Sequence, residues 1–191
     1  MTKLDIWNRA LAMLPHDRRV LSETEETTEA LRCRDAWQAS RDYLLATHDW
    51  GWATRAQFHV HGAAEACEGG GRVWVFGRPP GALRVVGVFD GDGRRMRVSV
   101  ANGVFRAERP AAEVRYIPVM DDSTIPTWPA WFCEAVAADL AIRIAGTILG
   151  KAAPRHLEAM ATKALGEAVR IDAGEVAWSG TDGRTIARAR R

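Results

Sequence analysis

The chain has 191 residues, 47% of them hydrophobic and 26% charged, with a formal net charge of +2. That length and balance allow one good core or two small ones and exclude a disordered or fibrous chain. So small an excess of charge does not by itself declare a polyanionic partner, although the basic residues are almost all arginine, Lys3, Lys151 and Lys163 being the exceptions.

Thr2 followed by Asp5 reads as a capping arrangement, and Leu4, Trp7, Leu11 and Leu14 then form the stripe of a short amphipathic helix stopped by Pro15. The start, MTKLDIWNRALAML, has an internal acid and base and too few consecutive apolar residues for a signal peptide, so synthesis in the cytoplasm is expected. Glu23, Glu25 and Glu26 precede a long helix, where negative charge complements the helix dipole, and read as capping charges. That helix lies within Thr27 to Ala53. Ala30, Cys33, Trp37, Ser40, Leu44 and Thr47 recur at steps of three and four along one mostly apolar stripe, widened by Leu31, Tyr43 and Leu45. Arg32, Arg34, Asp35, Arg41 and Asp42 form the solvated remainder, and Arg41 beside Asp42 reads as structural. The stripe makes this helix the expected spine for the other helices, with Trp50 and Trp52 anchoring the point where the chain turns to extended structure.

After His48-Asp49-Trp50-Gly51 the period changes to two: Trp52, Thr54, Ala56, Phe58 and Val60 alternate with Ala53, Arg55, Gln57 and His59. The glycine-rich stretch HGAAEACEGGG reads as a hairpin tip. Further strands are expected at Arg72 to Phe76, at Ala82 to Phe89, around Met96, Val98 and Val100, at Val104 to Glu108, and at Val114 and Tyr116. Pro79 and Pro80 cannot continue a ladder, and Asn102-Gly103 supplies a two-residue hairpin turn.

Met120 to Pro126 reads as a loop, with Thr127 as N-cap and Pro129 in the first turn of a third helix. Phe132, Val136, Leu140, Ile144 and Ile148 run along one side of it and Cys133, Ala137, Ala141 and Ala145 along another, ending at Gly150. A buried helix is expected, its alanine side open to close approach by another helix or a neighbouring subunit. Glu134, Asp139 and Arg143 argue against a membrane span. Pro154 opens a fourth helix carried by Leu157, Ala161, Ala164, Ala168 and Ile171, which Asp172-Ala-Gly174 is expected to end.

The chain holds no G-x-x-x-x-G-K, G-x-S-x-G or H-E-x-x-H motif. Cys33, Cys67 and Cys133 lack C-x-x-C spacing, which indicates neither a disulfide framework nor a zinc site and fits a reducing compartment. His59 and His61 offer one metal edge without a partner at ligand spacing. Asp121 and Asp122 are the pair a Mg²⁺ ion would use, yet acids are favoured ahead of a helix, and that plainer reading is preferred. No catalytic residue, metal ligand or cofactor is assigned. Trp7, Trp37, Leu44, Trp50, Trp52, Phe132 and Leu140 are the expected structural core.

The β segment carries Arg72, Arg78, Arg84, Arg94, Arg95, Arg97, Arg106, Arg109 and Arg115 against Asp90, Asp92, Glu108 and Glu113. Three readings stay open: a nucleic-acid surface with Trp74 and Phe76, an edge that meets an acidic protein, and guard charges that keep edge strands from pairing.

Three stretches, TTEALRCRDAWQASRDYLLATHDWGWATRA, RVWVFGRPPGALRVVGVF and YIPVMDDSTIPTWPAWFCEAVAADLAIRIA, occur in an order that resembles the tubular tail protein A family, the head-to-tail adaptors of tailed bacteriophages. The shared pattern is an acidic start, a cysteine and an aromatic on the long helix, Arg-Asp, a leucine pair and His-x-Trp-x-x-Ala. An aromatic strand with a proline turn and Leu-Arg follows, and then a loop-proline-aromatic lead into an alanine-rich helix. GRPPGALR departs from the family, which usually has an acid and often a cysteine before Leu-Arg.

The resemblance implies a non-enzymatic virion protein: a ring, usually a dodecamer, docked on the portal protein, lining the DNA channel without sequence-specific binding and meeting the next tail component, whether stopper, nozzle or tail tube. The expected fold is α+β, a four-helix bundle (1–50 and 120–171) with a small antiparallel β module (51–119) inserted between the second and third helices, and an extended C-terminal tail (172–191). Trp178, Arg184, Ile186, Arg188, Arg190 and Arg191 are the expected portal-binding residues of that tail. The alternative function is a nucleic-acid-binding module using the arginine-rich β face.

Overall fold

A computed structural model describes residues 1–15, 17–58, 63–66, 72–101, 103–111, 113–150 and 154–188. Helix and strand are mixed, and the chain divides into two compact units, Met1–Gly51 with Met120–Arg191, and Trp52–Val119. The first unit holds α1 (Lys3–Ala12), α2 (Thr28–Thr47), a 3₁₀ helix (Asp122–Thr127), α3 (Ala130–Leu149) and α4 (Arg155–Arg188).

Helix α1 starts at a full capping box. The Thr2 hydroxyl accepts the Asp5 N–H (3.2 Å) and the Asp5 carboxylate accepts the Thr2 N–H (2.7 Å), satisfying two donors that helix geometry orphans. The segment after α1 is tied back by Asn8, whose side-chain amide donates to the Val20 carbonyl (2.8 Å) and accepts the Val20 N–H (2.9 Å). Thr27 caps α2 through the Ala30 N–H.

The hub of this unit is α3, which corrects the expectation that the long second helix is the spine. Helices α1, α2 and α4 each pack on α3. The physical reason is the breadth of its apolar surface: α2 has one stripe to bury, whereas α3 buries Phe132, Val136, Leu140 and Ile144 on one side and Cys133, Ala137, Ala141 and Ala145 on another. Small residues on the second side let a neighbouring backbone come close. Gly150 ends α3 in the left-handed region at φ +63°, where a Cβ would be strained.

Three local expectations change. The stretch before α3 is a 3₁₀ helix, with the Asp121 carboxylate accepting the Ser123 N–H (3.0 Å). Pro129, not Thr127, holds the N-cap position of α3, and the Thr127 hydroxyl donates instead to the Thr124 carbonyl (2.7 Å). The extended tail from residue 172 is replaced by helix, since α4 continues to Arg188. Gly174 costs a helix only about 1 kcal/mol relative to alanine, and no proline interrupts this run.

The second unit contains β1 (Arg55–Phe58), β2 (Ala63–Ala66), β3 (Arg72–Gly77), β4 (Ala82–Phe89), β5 (Val98–Ala101), β6 (Val104–Ala107) and β7 (Glu113–Pro118). They form two antiparallel sheets, ordered β1-β7-β4 and β2-β3-β6-β5. Strand β2 lies within the stretch expected to be only a hairpin tip; its alanines have low intrinsic strand preference, and pairing with β3 supplies what propensity does not. Phe76, Val88, Phe105, Ala107, Ala111 and Val114 make one buried cluster that draws on both sheets, with the Phe76 and Phe105 rings stacked at 5.9 Å. Ala101 pairs with Val104, and Gly103 takes φ +74°, as a two-residue hairpin requires.

Of the expected core, Trp7, Trp37, Leu44, Trp50, Phe132 and Leu140 are buried. Trp52 is only half-buried, because it sits in the turn ahead of the shortened β1. His59, His61 and Cys67 lie outside the described residues.

Candidate functional site

Asp121 and Asp122, the one carboxylate pair with metal-site potential in the sequence, are committed elsewhere. Asp121 caps the 3₁₀ helix. Asp122 accepts three hydrogen bonds: from Lys3 Nζ (2.8 Å) on α1, and from Trp37 Nε1 (2.7 Å) and Arg41 Nη1 (3.1 Å) on α2. Burial alone raises the Asp122 pKa, but the bonds from Lys3 and Trp37 and the charges of Lys3 and Arg41 outweigh it and hold the carboxyl below its usual range. Lys3 is likewise held above its ordinary value: burial pulls it down, and the bonds to Asp122 and Glu23 more than compensate. Arg41 is buried and shares its guanidinium between Asp122 and Asp42 (2.8 Å), so it stitches secondary structure and is not exposed for chemistry. No group of three potential metal ligands occurs among the described residues.

An aromatic series leads away from this centre. Lys3 Nζ stands 5.1 Å from the Trp7 ring and 5.7 Å from the Trp37 ring. Trp37 stacks on Trp128 (6.2 Å), Trp128 meets Phe132 edge-on (5.4 Å), and Phe132 meets Trp50 edge-on (5.2 Å). Trp50 donates its indole N–H to the Leu44 carbonyl at the end of α2 (2.8 Å), and His48 lies against its ring. There α4 contributes Asp172, whose buried carboxylate accepts the Gly51 N–H through both oxygens (3.0 Å each) and faces His48 Nε2 at 3.4 Å. By sequence Asp172 belongs to an expected helix stop. Its use as an anchor inside the helix had no local signal, since its partner lies 121 residues away.

Helix α4 stands on α3 with an open groove along each flank. The larger, about 770 Å³, has Trp131 and Ala138 of α3, Ala12 and Met13 at the end of α1, and Met160, Ala164 and Ile171 of α4 as its apolar lining. Arg9 and Glu134, paired at 3.0 Å, and Lys163 with Glu167 stand at its rims. The smaller, about 260 Å³, lies between α2, α3 and α4. Among the α4 residues whose side chains are described, only Leu157, Ala168 and Asp172 are fully buried. The side chains of Trp178, Arg184, Ile186 and Arg188, and the whole of Arg190 and Arg191, lie outside the described residues.

The arginines of the β unit are used in different ways. Arg78 and Arg95 donate to the Leu83 and Val86 carbonyls on the open side of β4. Arg115 pairs with Glu113 (2.5 Å) and covers the Phe89 ring at 4.2 Å, and Arg109 faces Asp90 at 3.8 Å. Arg94, Arg97 and Arg106 remain exposed. Donation to the carbonyls of an edge strand fits the guard-charge reading for Arg78 and Arg95.

The sequence matches no protein-family model and no curated protein.

Proposed function

We propose that the chain is a structural, non-enzymatic head-to-tail connector of a tailed phage or phage-like particle. In this reading it is made in the bacterial cytoplasm and assembles as a ring, usually twelvefold, on the portal at the particle neck, where it extends the DNA channel and attaches the tail. The finer architecture belongs to the same proposal: a bundle of α1 to α4 carrying a β module between α2 and α3. Support comes from the ordered sequence resemblance.

The observation that carries the proposal is the length of α4. It has 34 residues against 20 in α3, about 51 Å against about 30 Å at 1.5 Å per residue. Ile171 already shares a groove with Trp131, in the first turn of α3, so the turns from there to Arg188 run beyond their supporting helix. A helix end without that support, with Trp178, Ile186 and several arginines in its sequence, suits docking on a large partner.

The test is mixing the chain with rings of the portal protein from the same particle. The intact chain should decorate the rings in electron micrographs, and a chain truncated after Glu175 should not, while keeping the helical circular dichroism of the remaining bundle. Undiminished decoration by the truncated chain overturns docking through α4, and no decoration by the intact chain overturns the connector reading. The nucleic-acid alternative is weakened by the internal commitments of Arg78, Arg95, Arg109 and Arg115.

A further inference from the structure

The two sheets of the β unit have four edge strands, β1, β4, β2 and β5. Exposed edges invite pairing with other chains, and proteins blunt them with charge. Three of these edges carry one charged residue each: Arg55 in β1, Glu65 in β2 and Arg84 in β4. Strand β4 is further closed by Arg78, Arg95 and the Met96 N–H, which take the carbonyls of Leu83, Val86 and Val88. Strand β5 reads Val-Ser-Val-Ala, with no charge and no proline, and among the described residues nothing pairs with its outer side. Val100 in its middle is 61% exposed, among the most exposed large hydrophobic residues described.

We propose that the open side of β5 is an augmentation site for an extended acidic segment of a partner protein. The alternation of β5 sets the pattern of the incoming strand. Val98 and Val100 pair with Ala107 and Phe105, so they share the face of the buried Phe76–Phe105 cluster, and Ser99 pairs with Arg106 on the opposite face. A strand laid beside β5 places apolar side chains next to Val98 and Val100 and the intervening residues next to Arg97, Ser99 and Arg106. Arg97 and Arg106 are exposed beside β5, Glu108 follows next to Arg97 in the β5–β6 register, and Glu65, the other acid on that face, lies on β2 at the far side of the sheet, so beside β5 two arginines face one acid. Acidic residues alternating with valine-like residues fit both faces at once. A second copy fits less well, because edge-to-edge pairing of two β5 strands gathers Arg97 and Arg106 of both chains on one face. The inference stands on β5 alone and does not depend on the connector reading.

The test titrates the intact protein with a synthetic peptide alternating glutamate and valine, followed by backbone NMR and amide exchange. Shifts and slowed exchange should concentrate at residues 98–101. Binding should weaken with added salt, and by about tenfold or more in Val100→Glu and in Arg97→Glu, both surface changes whose folding circular dichroism verifies. Equal binding of a lysine–valine peptide, protection elsewhere than β5, unchanged binding by both variants, or no binding overturns the proposal. Duplex DNA that displaces the peptide and binds Val100→Glu undiminished, without protecting β5 amides, assigns the surface to nucleic acid and overturns it equally.

Discussion

The indole N–H of Trp37 donates to the carboxylate of Asp122 across 2.7 Å, joining residues 85 positions apart in the chain. The same carboxylate receives Lys3 and Arg41, so one acidic side chain ties α1, α2 and the 3₁₀ helix ahead of α3. We predict that Asp122→Asn lowers stability by about 1–2 kcal/mol, the scale of charge-assisted hydrogen bonds reduced for a partly exposed group. Urea denaturation reads this directly, and a midpoint equal to the parent's shows that the three bonds add nothing net.

Trp37 also belongs to the aromatic series and is buried, so its truncation removes packing as well as a donor. Trp37→Ala should cost about 3–5 kcal/mol, as large-to-small core changes do. The comparison with Asp122→Asn separates packing from polar tethering: equal losses from both would mean that the ring packs on nothing of consequence.

The pH profile follows from the same cluster. The folded-state pKa of Asp122 is depressed, so its contribution is present above the ordinary aspartate value, about 3.9, and is lost as pH falls through the lower folded value. Asp5, lowered chiefly by its bond from the Thr2 backbone, works in the same direction. Lys3 is raised, so its contribution is complete below the ordinary lysine value and disappears only as alkaline pH passes the folded one. Stability measured from pH 2 to 6 should therefore decline toward acid, and more shallowly in Asp122→Asn. An identical acid slope in the two proteins would remove Asp122 from this account.

Burial pushes the Cys33 thiol up to about 12 and the Cys133 thiol up to about 11. Thiolate is the reactive form, so neither residue should be modified in the folded protein at pH 8. In a Cys67→Ser variant, a chromogenic disulfide reagent should release no fast colour until denaturant is added. Rapid labelling under native conditions would show that α2 or α3 opens readily.

Periodicity made much of the helical unit legible. Thr2 and Asp5 announced the capping box, Gly150 marked the end of α3, and the two apolar sides of α3 announced a buried helix. Which helix serves as hub was not legible from α2 alone, because a single stripe says only that something covers it. The broader surface of α3 held the answer. Strand β2 escaped notice because alanine favours helix, and the continuation of α4 because Asp172 and Gly174 resemble a stop. Asp122 and Asp172 escape a sequence reading for one reason: acids near helix ends have a local explanation, while the hydrogen-bond donors to their carboxylates lie 81 to 121 residues away. In the β unit, strand positions followed the period of two, but the uses of individual arginines depended on which strands became edges.

The antiparallel pairing of β1 with β7 sets Arg55 opposite Tyr116, so the first and last strands of the β unit are neighbours. Helices α1 and α2 meet α3 only after the chain has crossed residues 52–119, a closure that costs a flexible segment of that length about 4 kcal/mol in entropy. If the β unit forms first, its own ladder brings the two chain ends together, and the helices then find one another across an effectively short link. The β unit thereby acts on the kinetics of its host. Destabilising it, as with Val88→Ala, should slow refolding of the helices, which stopped-flow far-ultraviolet circular dichroism measures; an unchanged rate would show that the helices assemble before the sheets do.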